Sequence, residues 1–386
     1  MAVEPPARVA LVGHRLSAAT ATGIGRYYRE IAQGLVAVAD PARHRYLVAA
    51  TREPAPPDWL PPGLAHRRIG GNRKLTVLRW ALTGGPPLDG DLGRPDLVHA
   101  LHSWAPTPCR APLITTIHDV MPLQHPAWFG RAERWLFRRA VDHARDHAVV
   151  IVTESHHAAG VITAETGIEP ARIRVVSGGV GDEFRRRSTP DGLAALTSRY
   201  GVVPGRYVIA LGAVSARKNL PMLLQALARV EPARLGDPGL LVVGPEGAEA
   251  AEVHTAVERL GLQARVRFTG YVPREDLPGL VGAAAALVHP SRDEGFGLTP
   301  LEAMAAGTAV VASTAGSLRE VVADAGVLVD PDDVDGWAEA ITRVVGDPEM
   351  QASLVAAGDR RQDHFRWARA ATETLAVHDE VLGRGR

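Results

Sequence analysis

Short, uninterrupted apolar runs recur along this chain and alternate with stretches whose apolar positions return at the helical spacing. Continuous runs, rather than strict in-out alternation, are what a parallel sheet covered on both faces requires. In the first half, RVALVGH (8–14), RYLVAA (45–50), DLVHAL (96–101), PLITTIH (112–118), AVVIVT (148–153) and RIRVVS (172–177) predict strands, and 25–38, 131–145 and 155–166 predict helices. The charged stretch GDEFRRRSTPDG (181–192), closed by Pro and Gly, predicts a solvated linker. The alternation then restarts. YVIALG (207–212), GLLVVG (239–244), RVRFTG (265–270), AALVHP (285–290), AVVAS (309–313) and GVLVD (326–330) predict a second set of strands separated by helices. The expected architecture is α/β, with two doubly wound parallel-sheet domains, 1–184 and 190–365, and an amphipathic segment, 366–386, returning to pack on the first. Sheets of this kind bind ligands outside the carboxyl ends of their strands, so the expected site is a central cleft that the two domains face.

Composition narrows this picture. The 386 residues are 46% hydrophobic, enough for two real cores. Lysine plus arginine and aspartate plus glutamate each number 43, so no bulk charge favours nucleic acid. Cys109 is the one cysteine, which rules out an internal disulfide and suits a reducing cytoplasm. The first residues carry no secretion signal, and no apolar run approaches the about 18 residues of a membrane span. The basic helix RAERWLFRRAVDHARDHA (131–148) carries Trp135, Leu136 and Phe137, which either touch a membrane surface as a peripheral contact or pack on the sheet.

Four stretches carry candidate chemistry. In DEGFGLTPLEAMAAG (293–307), Thr299, Pro300 and Glu302 read as a capping box, and Gly307 can end the helix. That reading accounts for Glu302 without a ligand. The alternative is that a helix start behind Gly295 and Gly297, after a strand, is an anion site. Glu294, outside the helix, has no capping work and suits sugar hydroxyls. In LGAVSARKNLPMLLQAL (211–227), Asn219 reads as a helix cap, and Arg217 and Lys218 oppose the helix dipole. They form either a solvated basic turn or the cationic side of a diphosphate site. In TATGIGRYYREIAQGL (20–35), Gly23 and Gly25 open a helix, but Tyr28 breaks the dinucleotide-binding glycine pattern. In TTIHDVMPLQHP (115–126), His118 and Asp119 close a buried strand, where a histidine is either structural or faces a ligand. The DGD at 89–91 sits in a Pro/Gly-rich loop and reads as a turn rather than a metal motif, and Ser155 in ESHHAAG reads as a helix cap.

Together these stretches resemble the retaining glycosyltransferases of family 4, with the GT-B fold of two Rossmann-like domains. VHPSRDEGFGLTPLEAMAAGTAVVASTAGSLREVV (288–322) is similar to that family's signature, with Glu294 and Glu302 as its E-x7-E pair; GAVSARKN, FTGYV, TGIGRY and HDVMPLQHP follow the family pattern too. The resemblance covers nearly the whole chain, and the HDVMPLQHP and RKN variants are closest in style to bacterial mannosyltransferases of polysaccharide assembly. It implies that Glu302 holds the ribose and that Glu294 contacts the donor sugar. Gly295, Phe296 and Gly297 would line that sugar, and the N–H groups of Leu298 and Thr299 would face the diphosphate. Lys218 and Arg217 would neutralise the leaving phosphate, and the backbone at Tyr271 and Val272 would hold the base. His118 would reach the reacting sugar, and Gly25 would lie near the diphosphate.

The partners implied are a nucleotide-sugar donor and a hydroxyl acceptor, with no metal or other cofactor and no nucleic acid. GDP-mannose is the donor expected, with a UDP-sugar (glucose or N-acetylglucosamine) and a natural-product or lipid acceptor as the alternative. Two departures stand out. Many relatives carry an arginine where this chain has Ala213, and GGVGDEF (178–184) replaces their usual turn. A sugar-nucleotide epimerase or a non-catalytic nucleotide-sugar-binding protein would share the cleft and the nucleotide site.

Overall fold

The computed structural model describes residues 5–13, 23–50, 56, 59–61, 64–70, 72–186 and 189–384. Two compact units emerge, one from residues up to Gly179 together with Trp367 onward, the other from Val180 to Arg366.

The first unit is built on seven strands: β1 (Ala7–Gly13), β2 (His44–Ala50), β3 (Ala65–Arg68), β4 (Leu97–Ala100), β5 (Leu113–Thr116), β6 (Ala148–Thr153) and β7 (Ile173–Val175). Their order is β3-β2-β1-β4-β5-β6-β7, every pairing is parallel, and the winding reverses between β1 and β4. The unbroken apolar runs have their cause here, because β4 and β5 are buried at every position. The helices around the sheet include α1 (Gly23–Val38), α2 (Arg73–Thr83), α3 (Arg131–His147) and α4 (His156–Thr166). Thr20–Thr22, the start of the first glycine motif, lie outside the described residues. Ser155 Oγ accepts the Ala158 N–H at 3.0 Å and caps α4. On α3, Phe137 is buried and stands edge-on to Trp104, Leu136 is half-buried, and Trp135 is exposed. The DGD stretch is a turn, closed by the N–H groups of Leu92 and Arg94 donating to the Leu88 and Asp89 carbonyls, and the Asp89 carboxylate ties it to a distant loop by accepting the N–H groups of Arg110 and Ala111 at 2.8 and 3.0 Å.

The second unit has six strands: β8 (Val208–Leu211), β9 (Leu240–Val243), β10 (Val266–Gly270), β11 (Ala286–His289), β12 (Ala309–Ser313) and β13 (Val327–Val329). They lie in the order β10-β9-β8-β11-β12-β13, all parallel, and the winding reverses between β8 and β11. Counted from β8, this is the 3-2-1-4-5-6 order of dinucleotide-binding sheets. Its helices include α5 (Pro190–Tyr200), α6 (Leu220–Arg229) and α7 (Leu298–Ala305). The stretch 181–192 is solvated at Asp182, Arg186 and 189–192, as its charge predicts, but its described residues are structured rather than a plain linker. Asp182–Arg185 form a helical turn that buries Phe184 in this unit's core, and Thr189 caps α5 by accepting the Gly192 N–H. Phe184, a lone apolar residue among polar ones, gives this stretch a buried anchor.

The last helix, α8 (Trp367–Val381), belongs to the first unit. It buries Trp367, Ala370, Ala371, Thr374, Val377 and His378, a helical stripe, and Ala371 packs against Gly34 of α1. A buried polar chain fixes its register: Thr116 to His99 at 2.9 Å, His99 to His378 at 2.9 Å, and His378 to the Tyr46 hydroxyl at 3.0 Å. Burial pulls His378 down to about 3, so this chain is neutral at physiological pH.

Candidate active site

The reversal of winding in the second unit opens the carboxyl ends of β8 and β11, and chemistry gathers there. After β8 the chain passes Gly212 and a single turn of 3-10 helix, Ala216–Lys218, into α6. Gly212 has φ +126°, and a Cβ there would stand 2.7 Å from Lys218 Cε, so only glycine lets the lysine stem cross the strand end. Asn219 occupies the cap position of α6, but with φ 53° it does not cap through its side chain; its amide donates to the Pro331 carbonyl at 2.7 Å.

Lys218 and Arg217 both turn to Glu294, which follows β11. Lys218 Nζ donates to Glu294 Oε1 at 2.8 Å, and the Arg217 guanidinium lies on the same oxygen while also donating to the Asp293 carbonyl at 3.2 Å. Ser291 Oγ donates to Oε1 at 2.9 Å, and His289 Nε2 meets it at 3.0 Å. Four groups converge on one carboxylate oxygen, and no partner faces Oε2 among the described residues. Burial raises the Glu294 carboxyl, but the two cations and His289 outweigh it and hold it well below the usual carboxylate range. Burial, with Lys218 and Arg217 nearby, lowers His289 to about 4; it is therefore neutral and carries its proton on Nε2 toward the carboxylate. For Lys218, burial and the Arg217 charge pull down while Glu294 pulls up, and the net is below the ordinary lysine value.

The sequence leaves these cations either on a solvated turn or beside a diphosphate; the structure sets Glu294 against both as their counter-charge. It also gives Arg217 a direction, beside Lys218, while Ala213 is exposed. A cavity at this end of the sheet is lined by Leu211, Gly212, Lys218, His289 and Pro290.

The glutamate loop is held from behind by residues without a sequence signal. Ser317 Oγ donates to the carbonyls of Glu294 and Phe296 at 3.0 and 2.6 Å. Gly316 has φ +58°, and a Cβ there would lie 2.5 Å from the Glu294 carbonyl. Phe296 is buried edge-on to Phe365, which anchors Gly295 and Gly297 on either side. The expected capping box is absent. Gly297, left-handed at φ 106°, is the cap, so α7 starts at Leu298, two residues before the Thr-Pro pair would place it. Thr299 and Pro300 are second and third helical residues, where the N–H that proline lacks has no intrahelical partner anyway. Glu302 is then fifth, beyond reach of a cap, and is buried. The end matches the sequence: Gly307 (φ 73°) and Thr308 donate to the Met304 and Ala303 carbonyls at 3.0 and 2.9 Å. Tyr271, just after β10, is strongly exposed, while Val272 is buried.

In the first unit His118 follows β5. Its Nδ1 meets Glu154, at the end of β6, at 2.7 Å, and its Nε2 faces the Leu101 carbonyl, after β4, at 3.3 Å. A carbonyl only accepts, so Nε2 bears a proton. Burial pulls His118 down, but the Glu154 charge and hydrogen bond, with Asp119, outweigh it and raise its pKa above 6.5. Both ring nitrogens are thus engaged inside this unit. Gly25 lies in the first turn of α1. Sequence reasoning missed Glu154, His289, Ser291 and Ser317; for the first two the available signal was a polar residue closing a buried strand. Among the described residues no group of three or more His, Cys, Asp or Glu side chains could hold a metal ion, and no helix is long and apolar enough to cross a membrane.

Two doubly wound parallel sheets, each with charged residues at its strands' carboxyl ends, define a protein that handles small ligands there. Comparison with known proteins specifies the class. The family Glycosyl transferases group 1 matches residues 203–361, and Glycosyltransferase Family 4 matches 21–184. The chain is 33% identical to O-antigen chain mannosyltransferase B of Escherichia coli, over 69% of each chain. It is 32% identical to 2-deoxystreptamine glucosyltransferase of Streptomyces kanamyceticus, over 80% of this chain and 76% of that one. A solved structure of Anabaena HepE with UDP and glucose shares the fold at 21% identity and TM-score 0.73, covering 97% of this chain and 100% of that one. The chain belongs to glycosyltransferase family 4, has the GT-B fold, and is a glycosyltransferase.

Proposed function

We propose that the chain transfers a hexosyl group, mannosyl from GDP-mannose, from a nucleotide diphosphate sugar to an acceptor hydroxyl, with retention and without a metal. The observation that supports it most is the convergence of Lys218 and Arg217 on Glu294 at the ends of β8 and β11. Negative charge grows on the leaving phosphate in the transition state, and fixed cations in a poorly hydrated site stabilise it there. Glu294 keeps both cations in place until donor phosphate competes for them. Its Oε2 is suited to a sugar hydroxyl. The orphan N–H groups of Leu298 and Thr299 suit diphosphate oxygens, with Gly295, Phe296 and Gly297 against the sugar. Glu302 takes the ribose hydroxyls, and the backbone at Tyr271 and Val272 takes the base. The family resemblance gives His118 a part at the reacting sugar and Gly25 one at the diphosphate. Front-face attack, with the leaving phosphate accepting the acceptor's proton, needs no carboxylate nucleophile.

A second donor has support from the relatives, one of which is a 2-deoxystreptamine glucosyltransferase. It is a UDP-sugar passed to a natural-product or lipid acceptor. Thermal-shift measurement with GDP-mannose, UDP-glucose and UDP-N-acetylglucosamine decides between donors. Stabilisation by none of them sinks the reading. Incubation with the stabilising donor alone, followed by sugar analysis, separates transfer from epimerisation, and release of nucleoside diphosphate only with acceptor separates an enzyme from a binding protein.

A further inference from the structure

His118 is enclosed on three sides by groups of its own unit. Its Nδ1 meets Glu154 Oε2 at 2.7 Å, and its Nε2 faces the Leu101 carbonyl at 3.3 Å. The Tyr27 ring stands edge-on to it, with 4.9 Å between centroids and 84° between planes, and Trp367 of α8 backs Tyr27 edge-on in turn. Flipping the imidazole by 180° would put carbon where both polar contacts are made, so its orientation is fixed. The protons follow from the partners. A carbonyl only accepts, so Nε2 carries a proton; a carboxylate only accepts, so Nδ1 carries one too. No lone pair is left on the ring. Burial opposes a charged ring, and Glu154, then Asp119, outweigh it; His99 and Tyr27 are the other titratable groups against it.

We propose that Glu154 is a positioning residue for the transfer reaction: it fixes His118 as a hydrogen-bond donor, through Nε2–H, to a hydroxyl of the transferred sugar, and it denies the ring the lone pair that a general base needs. This rests on the glycosyl transfer proposed above and on the part that the family resemblance gives His118. The Leu101 carbonyl, at 3.3 Å, lies beyond the usual span of an N–H···O bond, about 2.7–3.2 Å, so Nε2–H is free to pass to a hydroxyl oxygen at ordinary distance. The carboxylate also settles the charge. Positive charge grows on the sugar ring during transfer, and a bare imidazolium beside it would oppose that charge. Paired with Glu154, the ring donates strongly while the pair carries no net charge.

The test compares the wild type with Glu154→Gln and Glu154→Asp, reading nucleoside diphosphate released from GDP-mannose and from UDP-glucose with water and methyl mannoside as acceptors. A charge-assisted donor needs the doubly protonated ring, so wild-type turnover is expected to fall as pH rises past the His118 pKa, which lies above 6.5; a general base would give the opposite slope. Glutamine keeps a hydrogen bond to Nδ1 and removes the charge. It should move that fall to lower pH and cost about tenfold in turnover at about pH 7, the gap between a charge-assisted and a neutral donor, with the affinity for nucleoside diphosphate unchanged. Glu154→Asp, which keeps the charge, should restore the wild-type slope. Nuclear magnetic resonance of isotope-labelled histidine at about pH 6 should show both His118 nitrogens protonated in the wild type. Turnover that rises with pH, an unprotonated Nδ1 at about pH 6, or wild-type kinetics in Glu154→Gln overturns the inference and leaves glycosyl transfer standing. Absence of transfer from both donors overturns the two together.

Discussion

Replacing Glu294 with glutamine tests the electrostatic reading of the site most directly. The substitution keeps the shape and the hydrogen bonds to Ser291 and His289 within reach, and removes only the charge. Lys218, with 12% of its side chain exposed, then has no counter-charge, and Arg217, 29% exposed, keeps the Asp293 carbonyl and some water. Stripping the partner from a fully buried ion pair costs about 3–5 kcal/mol. Because Arg217 can turn to solvent, about 2–3 kcal/mol is the expected loss. For a unit of this size that is a fall of roughly 4–12 °C in unfolding temperature. The pH dependence has a definite sign. The folded pKa of Glu294 lies well below its ordinary value of 4.5, so its stabilisation is complete above that value and is lost as pH falls through the folded pKa. Scanning calorimetry should therefore show a full gap between variant and wild type at neutral pH and a narrowing one below about pH 4.5. Pyrophosphate, or the nucleoside diphosphate of the donor, should stabilise the variant more than the wild type, because it no longer competes with Glu294 for the cations. An unfolding temperature within experimental scatter of wild type at pH 7 would refute the view that Glu294 neutralises this site. An equal response to pyrophosphate would refute the view that the two cations form an anion site.

Lys218→Ala should lower turnover at least tenfold, about 1.4 kcal/mol of transition-state stabilisation, in a steady-state assay of nucleoside diphosphate release; near-normal kinetics would remove its assigned role. Gly316→Ala puts a side chain at φ +58° and against the Glu294 backbone, so a loss of about 2 kcal/mol in urea unfolding, with weaker donor binding, is expected. Glu154→Gln should drop the His118 pKa below its ordinary 6.5, read by NMR of labelled histidine. Because a raised pKa stabilises below the unfolded value and the benefit fades as pH rises through the folded one, the stability gap should be wider near about pH 6 than near pH 9. Tyr46→Phe leaves His378 Nδ1 without its partner and should cost about 1–3 kcal/mol of first-unit stability with little change in donor affinity.

Much of this protein was legible in the order of its residues. Strands such as LITT and ALVH are buried on both faces, and burial on both faces favours short, mostly apolar or β-branched runs bounded by turn residues. The same runs nominated Glu294, Lys218 and His118 as candidates, because residues after buried strands stand where parallel sheets bind ligands. The misses have local causes. AHRR forms the edge strand β3 with mostly exposed side chains, so no apolar signal marks it. Phe184 was hidden among charges, and the Thr-Pro pair gave a stronger cap signal than Gly297, whose left-handed backbone starts α7 early. What the sequence could not supply was pairing across distance. That Lys218 and Arg217 spend their charge on Glu294, 76 residues on in the lysine's case, follows from β8 and β11 being neighbours in a sheet. The strand order also sets Glu154 on His118 and Ser317 beneath the glutamate loop. Periodicity is a local property that the chain carries in every window of a dozen residues, whereas the charge state of a buried side chain depends on which distant partner the strand order brings within about 3 Å.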